Sequence, residues 1–325
     1  MTVATLLMIA ALSEWLANTL NLQVYGLSSL PLALLLAMMT PERFASHRLR
    51  RWQPWLLKGG IMLFGVRWVN PHSWSVLLEL LLAGLLVLMV TLLAGLVIGR
   101  LLGINRPQTA LLSIGFAVCG GSAIAAATPV AHHHPHFRAA FAPQAISLIA
   151  LFGLANLMLY PLLVDYLGSD RTAVVAGLST PELAQAMIAS TGLTAEAGQL
   201  VLISKLGRVF LLGLALAVIG RHLYGGHTAA ANGGNSLALT LRRYSFLWGF
   251  ALLAVAHVQH WLSDNQAELL AGAGHILMLL AVTLLGLHIR LADVMRLRPA
   301  VVLLATLLWL VNLVAALIFS LPLSL

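Results

Sequence analysis

The sequence predicts an all-α membrane protein of about eleven transmembrane helices, built as two inverted five-helix repeats plus one extra N-terminal helix. Three observations lead there. Of the 325 residues, 60% are hydrophobic and 9% are charged. Soluble domains carry about 25% charged residues, so this chain could not cover its own surface in water. Lys and Arg gather in alternate loops. Two stretches about 150 residues apart also read as variants of one pattern.

A helix needs about 20 apolar residues to cross the hydrocarbon core. The candidate spans are 2–20, 24–40, 55–68, 75–100, 107–131, 139–163, 172–190, 197–220, 244–261, 267–288 and 299–321. The third is short, and Glu14 interrupts the first. Strand alternation is absent, which argues against a barrel. Met1 to Ala10 lacks a basic n-region, so no cleavable signal peptide is expected. The single cysteine, Cys119, excludes intrachain disulfides. The net charge of +8 is explained by basic loops and does not require nucleic acid.

The loop after the second span holds Arg43, Arg48, Arg50 and Arg51, with Lys58 just beyond. Every second loop from there is basic: Arg100 and Arg106; Arg171; Arg221, Arg242 and Arg243; Arg290, Arg296 and Arg298. The alternate loops hold only Arg67 and Arg138. This puts the N-terminus in the cytoplasm, the C-terminus in the periplasm and the His132–His136 loop outside. The loop from Tyr224 to Leu239 is low-complexity.

The repeated pattern is Gly26-Leu-Ser-Ser-Leu-Pro31 with Lys58 in the next span, and Gly177-Leu-Ser-Thr-Pro181-Glu182 with Lys205 in the next span. Lys58 and Lys205 are the only lysines. Leu154-Ala-Asn156-Leu and Leu310-Val-Asn312-Leu form a second matched pair. The whole chain reads as one membrane domain: residues 1–23 as the extra helix, 24–165 as the first repeat, 170–325 as the second. Five spans per repeat is odd, so the halves insert with opposite orientation.

Gly120-Gly121 falls mid-way in the fifth span, and Gly272 and Gly274 fall in the tenth. Glycine weakens a helix, and unwound backbone in a bilayer must be buried or line a wet cavity. Matched interrupted spans point to a binding site, and a restarting helix N-terminus suits an anion. The bland alternative is close packing through small residues. Charges within spans cost about 3 kcal/mol each on insertion scales and are functional candidates. Glu182 and Gln185 share a face, as do Lys205 and Arg208. The expected substrate site is Cys119, Gly120, Gly121, Ser122, Gln185, Lys205, Arg208 and Gly274. Glu182 and His275 are the candidates for proton or ion coupling. A buried ion pair fixing helix register is the competing reading of Glu182 with either cation. The His132–His136 cluster reads as a solvated loop in preference to a metal site.

The chain resembles the YeiH-type inner-membrane proteins of bacteria, a largely uncharacterised family often labelled as sulfate exporters. The resemblance rests on Leu57-Lys58-Gly-Gly-Ile-Met-Leu-Phe64-Gly65-Val-Arg67, where the family has Gly-Ile-x-Leu-x-Gly-x-Arg. It rests also on Cys119-Gly120-Gly121-Ser122-Ala123, on Leu151-Phe152-Gly153 through Tyr160-Pro161, on Glu182-x-x-Gln185, and on Ile203-Ser-Lys205-x-x-Arg208. The family typically has His-Glu where this chain has Pro181-Glu182, so no role of that histidine carries over. The resemblance implies a panel domain and a core domain, with one broken helix of each repeat crossing in the core.

The expected function is secondary transport of a small anion, sulfate or a related oxyanion or organosulfonate, by alternating access, with coupling to H⁺, to Na⁺ or to neither. No G-x-x-x-x-G-K-[ST] is present, which argues against ATP-driven transport. The alternatives are an intramembrane enzyme using Ser122 with His275, or Cys119 as nucleophile, and an anion channel. No cofactor, metal or nucleic acid is expected. The partners are the anion, the lipid bilayer and, as a candidate, a second copy of the chain.

Overall fold

Every regular element among the described residues is a helix, as expected where backbone groups must be satisfied within their own segment. The computed structural model describes residues 2–19, 29–40, 49, 52–67, 74–191, 193–224, 246–287 and 297–323. Residues 26–28, Arg43, Arg48, Arg50, Arg51, Arg242, Arg243, Arg290, Arg296 and the low-complexity loop from residue 225 lie outside them.

In chain order the helices are α1 (Thr2–Thr19), α2 (Ser29–Met39), α3 (Gln53–Phe64, continued by a 3₁₀ turn at Gly65–Arg67), α4 (Trp74–Leu101) and α5 (Arg106–Ala117). Then follow α6 (Gly121–His132), α7 (Phe141–Leu167), α8 (Ser169–Ser179), α9 (Leu183–Thr191) and α10 (Ala195–Phe210). The last are α11 (Leu212–Tyr224), α12 (Phe246–Val258), α13 (Asp264–Gly286) and α14 (Pro299–Ser320). Four described helices are long and apolar enough to cross a membrane: α4, α7, α13 and α14. A fifth candidate is α10 with α11, bent by 42° at Leu211.

The chain divides into two units, residues 1–72 with 239–289, and 73–238 with 290–325. In the first unit α13 packs against α1, α2 and α3. Leu6, Ile9, Ala37, Leu284 and Leu287 form one of its apolar clusters. The expected break in the tenth span does not occur, because α13 runs unbroken through Gly272 and Gly274. Each helical glycine costs only about 1 kcal/mol relative to alanine. Breaking the ladder would strand several buried backbone groups at about 1–3 kcal/mol each. The backbone of Gly274 is instead approached closely by Gly60. A Cβ on Gly60 would stand 3.0 Å from the Gly274 carbonyl oxygen and 2.5 Å from Met278 Cγ. Gly272 faces open space.

In the second unit α4 lies along α14 and α5. The fifth span is a hairpin and not a crossing helix. α5 ends at Ala117, the chain turns through Val118–Gly120, and α6 returns. Gly120 makes the turn possible with φ of 55°, a region that side chains disfavour. Two observations establish the reversal. Gly115 of α5 packs against Ile124 of α6, where a Cβ would stand 3.1 Å from its Cδ1. The end of α11 also meets both open ends of the pair: Tyr224 Oη donates to the Val130 carbonyl at 2.6 Å, and His222 shares a cavity with Arg106. The His132–His136 loop therefore lies at the same end of the unit as Arg100 and Arg106. This corrects its expected placement on the opposite face.

α8 and α9 form the opposed counterpart. α7 starts at the Arg106 end and has 27 residues, which carries it about 40 Å at 1.5 Å per residue. α10 and α11 return to that end over a similar length. Gly168 and Thr194 thus both lie at the far end, and the intervening α8–α9 segment enters and leaves there. Pro181 enforces its turn, because proline supplies no N–H and drives the preceding residue out of the helical region. Thr180 is accordingly extended, with ψ of 126°. The Gly177–Glu182 copy of the repeated pattern is thus the tip of a hairpin. Ser29, the described start of the other copy's helix, belongs to the first unit.

Gly60→Leu should lower the melting temperature and folded yield of purified protein, by about 1–3 kcal/mol of overpacking. Gly272→Leu should leave both near wild type. Equal effects in a thermal denaturation series would contradict the assigned packing of α3 on α13.

Candidate functional site at the hairpin tips

The two tips converge on one face of α10. Helix ends leave carbonyls and N–H groups without partners in their own helix, and here the side chains of the unit supply them. Lys205 is fully buried. Its Nζ donates to the Val118 carbonyl at 2.8 Å on the first tip. On the second tip it donates to Thr180 at 2.5 Å and Pro181 at 2.8 Å. One ammonium thus uses all three of its N–H groups to join both hairpins.

One turn on, Arg208 is also fully buried. Its Nε donates to the Ala117 carbonyl at 3.1 Å, and its Nη2 donates to Phe116 at 2.9 Å and also to Ala117. Nη2 further donates to Asn312 Oδ1 at 3.3 Å. Both cations therefore occupy the C-terminal end of α5, where the helix dipole is negative. The N-terminus of α6 holds the opposite charge. Glu182 is buried against Gly120 and accepts the backbone N–H of Gly121. A Cβ on Gly120 would stand 2.6 Å from Glu182 Cγ, so glycine there serves conformation and space together. The sequence reading left this N-terminus open to a substrate anion, but it is filled by the protein's own carboxylate. Cys119 is buried beside both cations.

Gln185 completes the second tip. Its Nε2 donates to the Ala150 carbonyl at 3.1 Å, and the side chain fills the space that Gly153 leaves on α7. Three buried polar atoms here have no partner among the described residues: Arg208 Nη1, Gln185 Oε1 and Ser204 Oγ. Ser122 lies in the first turn of α6, and its side chain is outside the described residues.

Of the expected site residues, Cys119, Gly120, Gly121, Glu182, Gln185, Lys205 and Arg208 come together. Gly274 and His275 belong to the first unit. There His275 Nε2 lies 3.3 Å from Glu14 Oε2 and 3.2 Å from Ser29 Oγ. Lys58, matched to Lys205 by the repeat, is half-buried in that unit, with Nζ 5.3 Å from the centre of the Trp55 ring.

The sequence reading missed two asparagines as site residues. Asn156 and Asn312 both donate their Nδ2 to the Ser179 carbonyl, at 3.2 and 2.6 Å, and so cap the end of α8. Asn156 Oδ1 accepts from Trp309 Nε1 at 2.7 Å, and Asn312 Oδ1 accepts from Thr91 Oγ1 at 3.2 Å. The Tyr160 hydroxyl lies 2.6 Å from Thr180 Oγ1 and 2.9 Å from Ser179 Oγ. The signal was present: buried amides in apolar spans need partners. In the sequence alone they read only as evidence of duplication.

The model of the family described as conserved hypothetical protein 698 matches residues 2–305. The chain belongs to that family. Its relatives include a UPF0324 membrane protein of Bordetella bronchiseptica, 30% identical over 68% of this chain and 69% of that one. The UPF0324 inner membrane protein YeiH of Escherichia coli K12 is 24% identical over 88% of this chain and 84% of its own. A UPF0324 membrane protein of Oceanobacillus iheyensis is 29% identical over 72% and 68%. No solved structure matches. This member of the family is therefore a membrane protein in which two helix breaks, 60 residues apart in sequence, share one set of buried charges.

Lys205→Met should strand three carbonyls at the tips. The expected loss is about 3 kcal/mol or more, seen as a lower melting temperature in detergent. Gly120→Ala should destabilise through both its φ and its contact with Glu182. A Gly120→Ala protein as stable as wild type would show that the tip has another conformation.

Proposed function

We propose that this protein is a secondary transporter of a small anion in the bacterial inner membrane, with the hairpin tips as the substrate and coupling site. The observation that carries the reading is Glu182 bound at the N-terminus of α6. A carboxylate there is a tethered competitor of any anion that would bind the same N–H groups. Protonation of Glu182 removes its charge and frees this helix end. The substrate anion then takes its place, with Arg208 Nη1 as an available donor. Anion and proton bind together, and tip opening by rocking of the hairpins alternates access. Lys205 and Arg208 supply the positive balance, which favours an anion over a cation or neutral solute. Sulfate or another oxyanion fits this chemistry.

In the proposed topology the fifth and seventh spans are opposed re-entrant hairpins. Of eleven apolar segments, nine cross and two re-enter. Nine is odd, so the N-terminus stays cytoplasmic and the C-terminus periplasmic. Only α7 reverses, which moves His132–His136 and Arg138 to the basic face and Arg171 away from it. The positive-inside bias is retained. An intramembrane Ser–His enzyme is a weaker reading, because His275 is engaged by Glu14 and Ser29 within the first unit.

In proteoliposomes, Glu182→Gln should abolish flux driven by a pH gradient and leave anion exchange measurable. Loss of both activities together with folded yield would make Glu182 structural only. Movement of cations or neutral solutes, and of no anion, would overturn the substrate class.

A His136→Cys variant in a Cys119→Ser background should react with a membrane-impermeant maleimide only from the cytoplasmic side. Labelling from the periplasm would refute the re-entrant assignment of α5–α6.

A further inference from the structure

We propose a second binding site at the open end of the α5–α6 hairpin, for a tetrahedral oxyanion of the phosphate or sulfate type, either free or as the headgroup of an anionic phospholipid. It is separate from the tips and does not rest on the transport reading.

A cavity of about 420 Å³ lies there, lined by Arg100, Arg106, Thr109 and His222 among others. That volume falls within the range of about 300–1,000 Å³ usual for small-molecule sites. The described lining contains no carboxylate, and neither arginine forms an ion pair among the described residues. Two exposed guanidinium groups from different helix ends thus line a common space. Guanidinium pairs well with oxyanion edges, through two parallel hydrogen bonds.

Thr109 provides the independent observation. It is 1% exposed, lines the cavity, and its Oγ1 has no hydrogen-bond partner among the described residues. Its backbone N–H is already taken by the Asn105 carbonyl at 3.0 Å. A buried hydroxyl without a partner costs about 1–3 kcal/mol; this one lies against Gly99, where a Cβ would stand 2.5 Å from it, and a ligand oxygen entering beside it from the cavity would satisfy it. The N-terminus of the 12-residue α5 adds the positive end of its dipole. His222 lies near Arg106, Arg100 and His134. His134, in the neighbouring loop, is held below its usual pKa by partial burial, then by His136 and Arg106. The basic groups therefore gather around one space, which suits an anion.

The test uses full-length protein in detergent, and separately in nanodiscs of phosphatidylcholine with or without phosphatidylglycerol. Sodium sulfate and inorganic phosphate are titrated against sodium chloride at equal ionic strength, and the melting temperature and binding isotherm are read. Wild type should be stabilised in at least one arm. Arg100→Gln with Arg106→Gln should weaken that binding by about tenfold or more, the equivalent of losing one charge-assisted contact. General salting effects of sulfate would act equally on wild type and variant. A response to the free ions assigns a soluble oxyanion, and a response only to phosphatidylglycerol assigns a lipid headgroup. Thr109→Val adds a readout that a purely structural threonine would not give: a higher melting temperature without ligand, yet weaker binding. If the double variant matches wild type in both arms, the proposal fails.

Discussion

The Lys205 ammonium and its three carbonyl partners are the constraint on which the second unit depends. Val118 belongs to a hairpin entering from one end of the unit. Thr180 and Pro181 belong to one entering from the other. Neither tip could end in an apolar environment without partners for its last carbonyls. One cation on a third helix satisfies both tips and so sets their separation. Arg208, three residues on, repeats the arrangement for Phe116 and Ala117. The pair sits on one face of α10 because i and i+3 are neighbours on a helix.

Charge at the tips follows the helix dipoles. The cations meet the C-terminal end of α5, and the carboxylate of Glu182 meets the N-terminal end of α6. Each buried charge is compensated by backbone and only secondarily by another side chain. In the proposed mechanism such a site changes state by moving one proton, because removal of the Glu182 charge alters what the α6 N-terminus can hold. A buried pair of side chains sealed against each other would lack this property. The asparagines that cap α8 hold the second tip from behind, and their amides leave little freedom in the position of Ser179.

The first unit uses glycine differently. Gly60 and Gly274 let α3 and α13 approach through their backbones, and the α13 ladder stays whole. Gly120 and Gly153 in the second unit make room for the side chains of Glu182 and Gln185. A pair of glycines in an apolar span is thus compatible with a break or with close packing. What separates the two outcomes is whether a cation or carboxylate is at hand to satisfy the freed backbone groups. Gly120 has Glu182, Lys205 and Arg208 as neighbours. Gly274 has the apolar Met278 and the glycine of a facing helix.

Composition and local chemistry in the sequence determined the membrane class, the helical elements, the break at Gly120 and the burial of Glu182, Gln185, Lys205 and Arg208. These follow from the cost of charge and of unpaired backbone in an apolar medium, and that cost applies wherever the chain goes. The tertiary structure alone decided that the fifth span turns back, that its partner is the segment around Pro181, and that Gly274 and His275 belong to the other unit. It decided too that Glu182 fills the α6 N-terminus. An apolar run of about 25 residues reads the same whether it crosses or reverses. Direction is set by which long-range partners receive its central carbonyls, and those partners lie some 90 residues away in sequence.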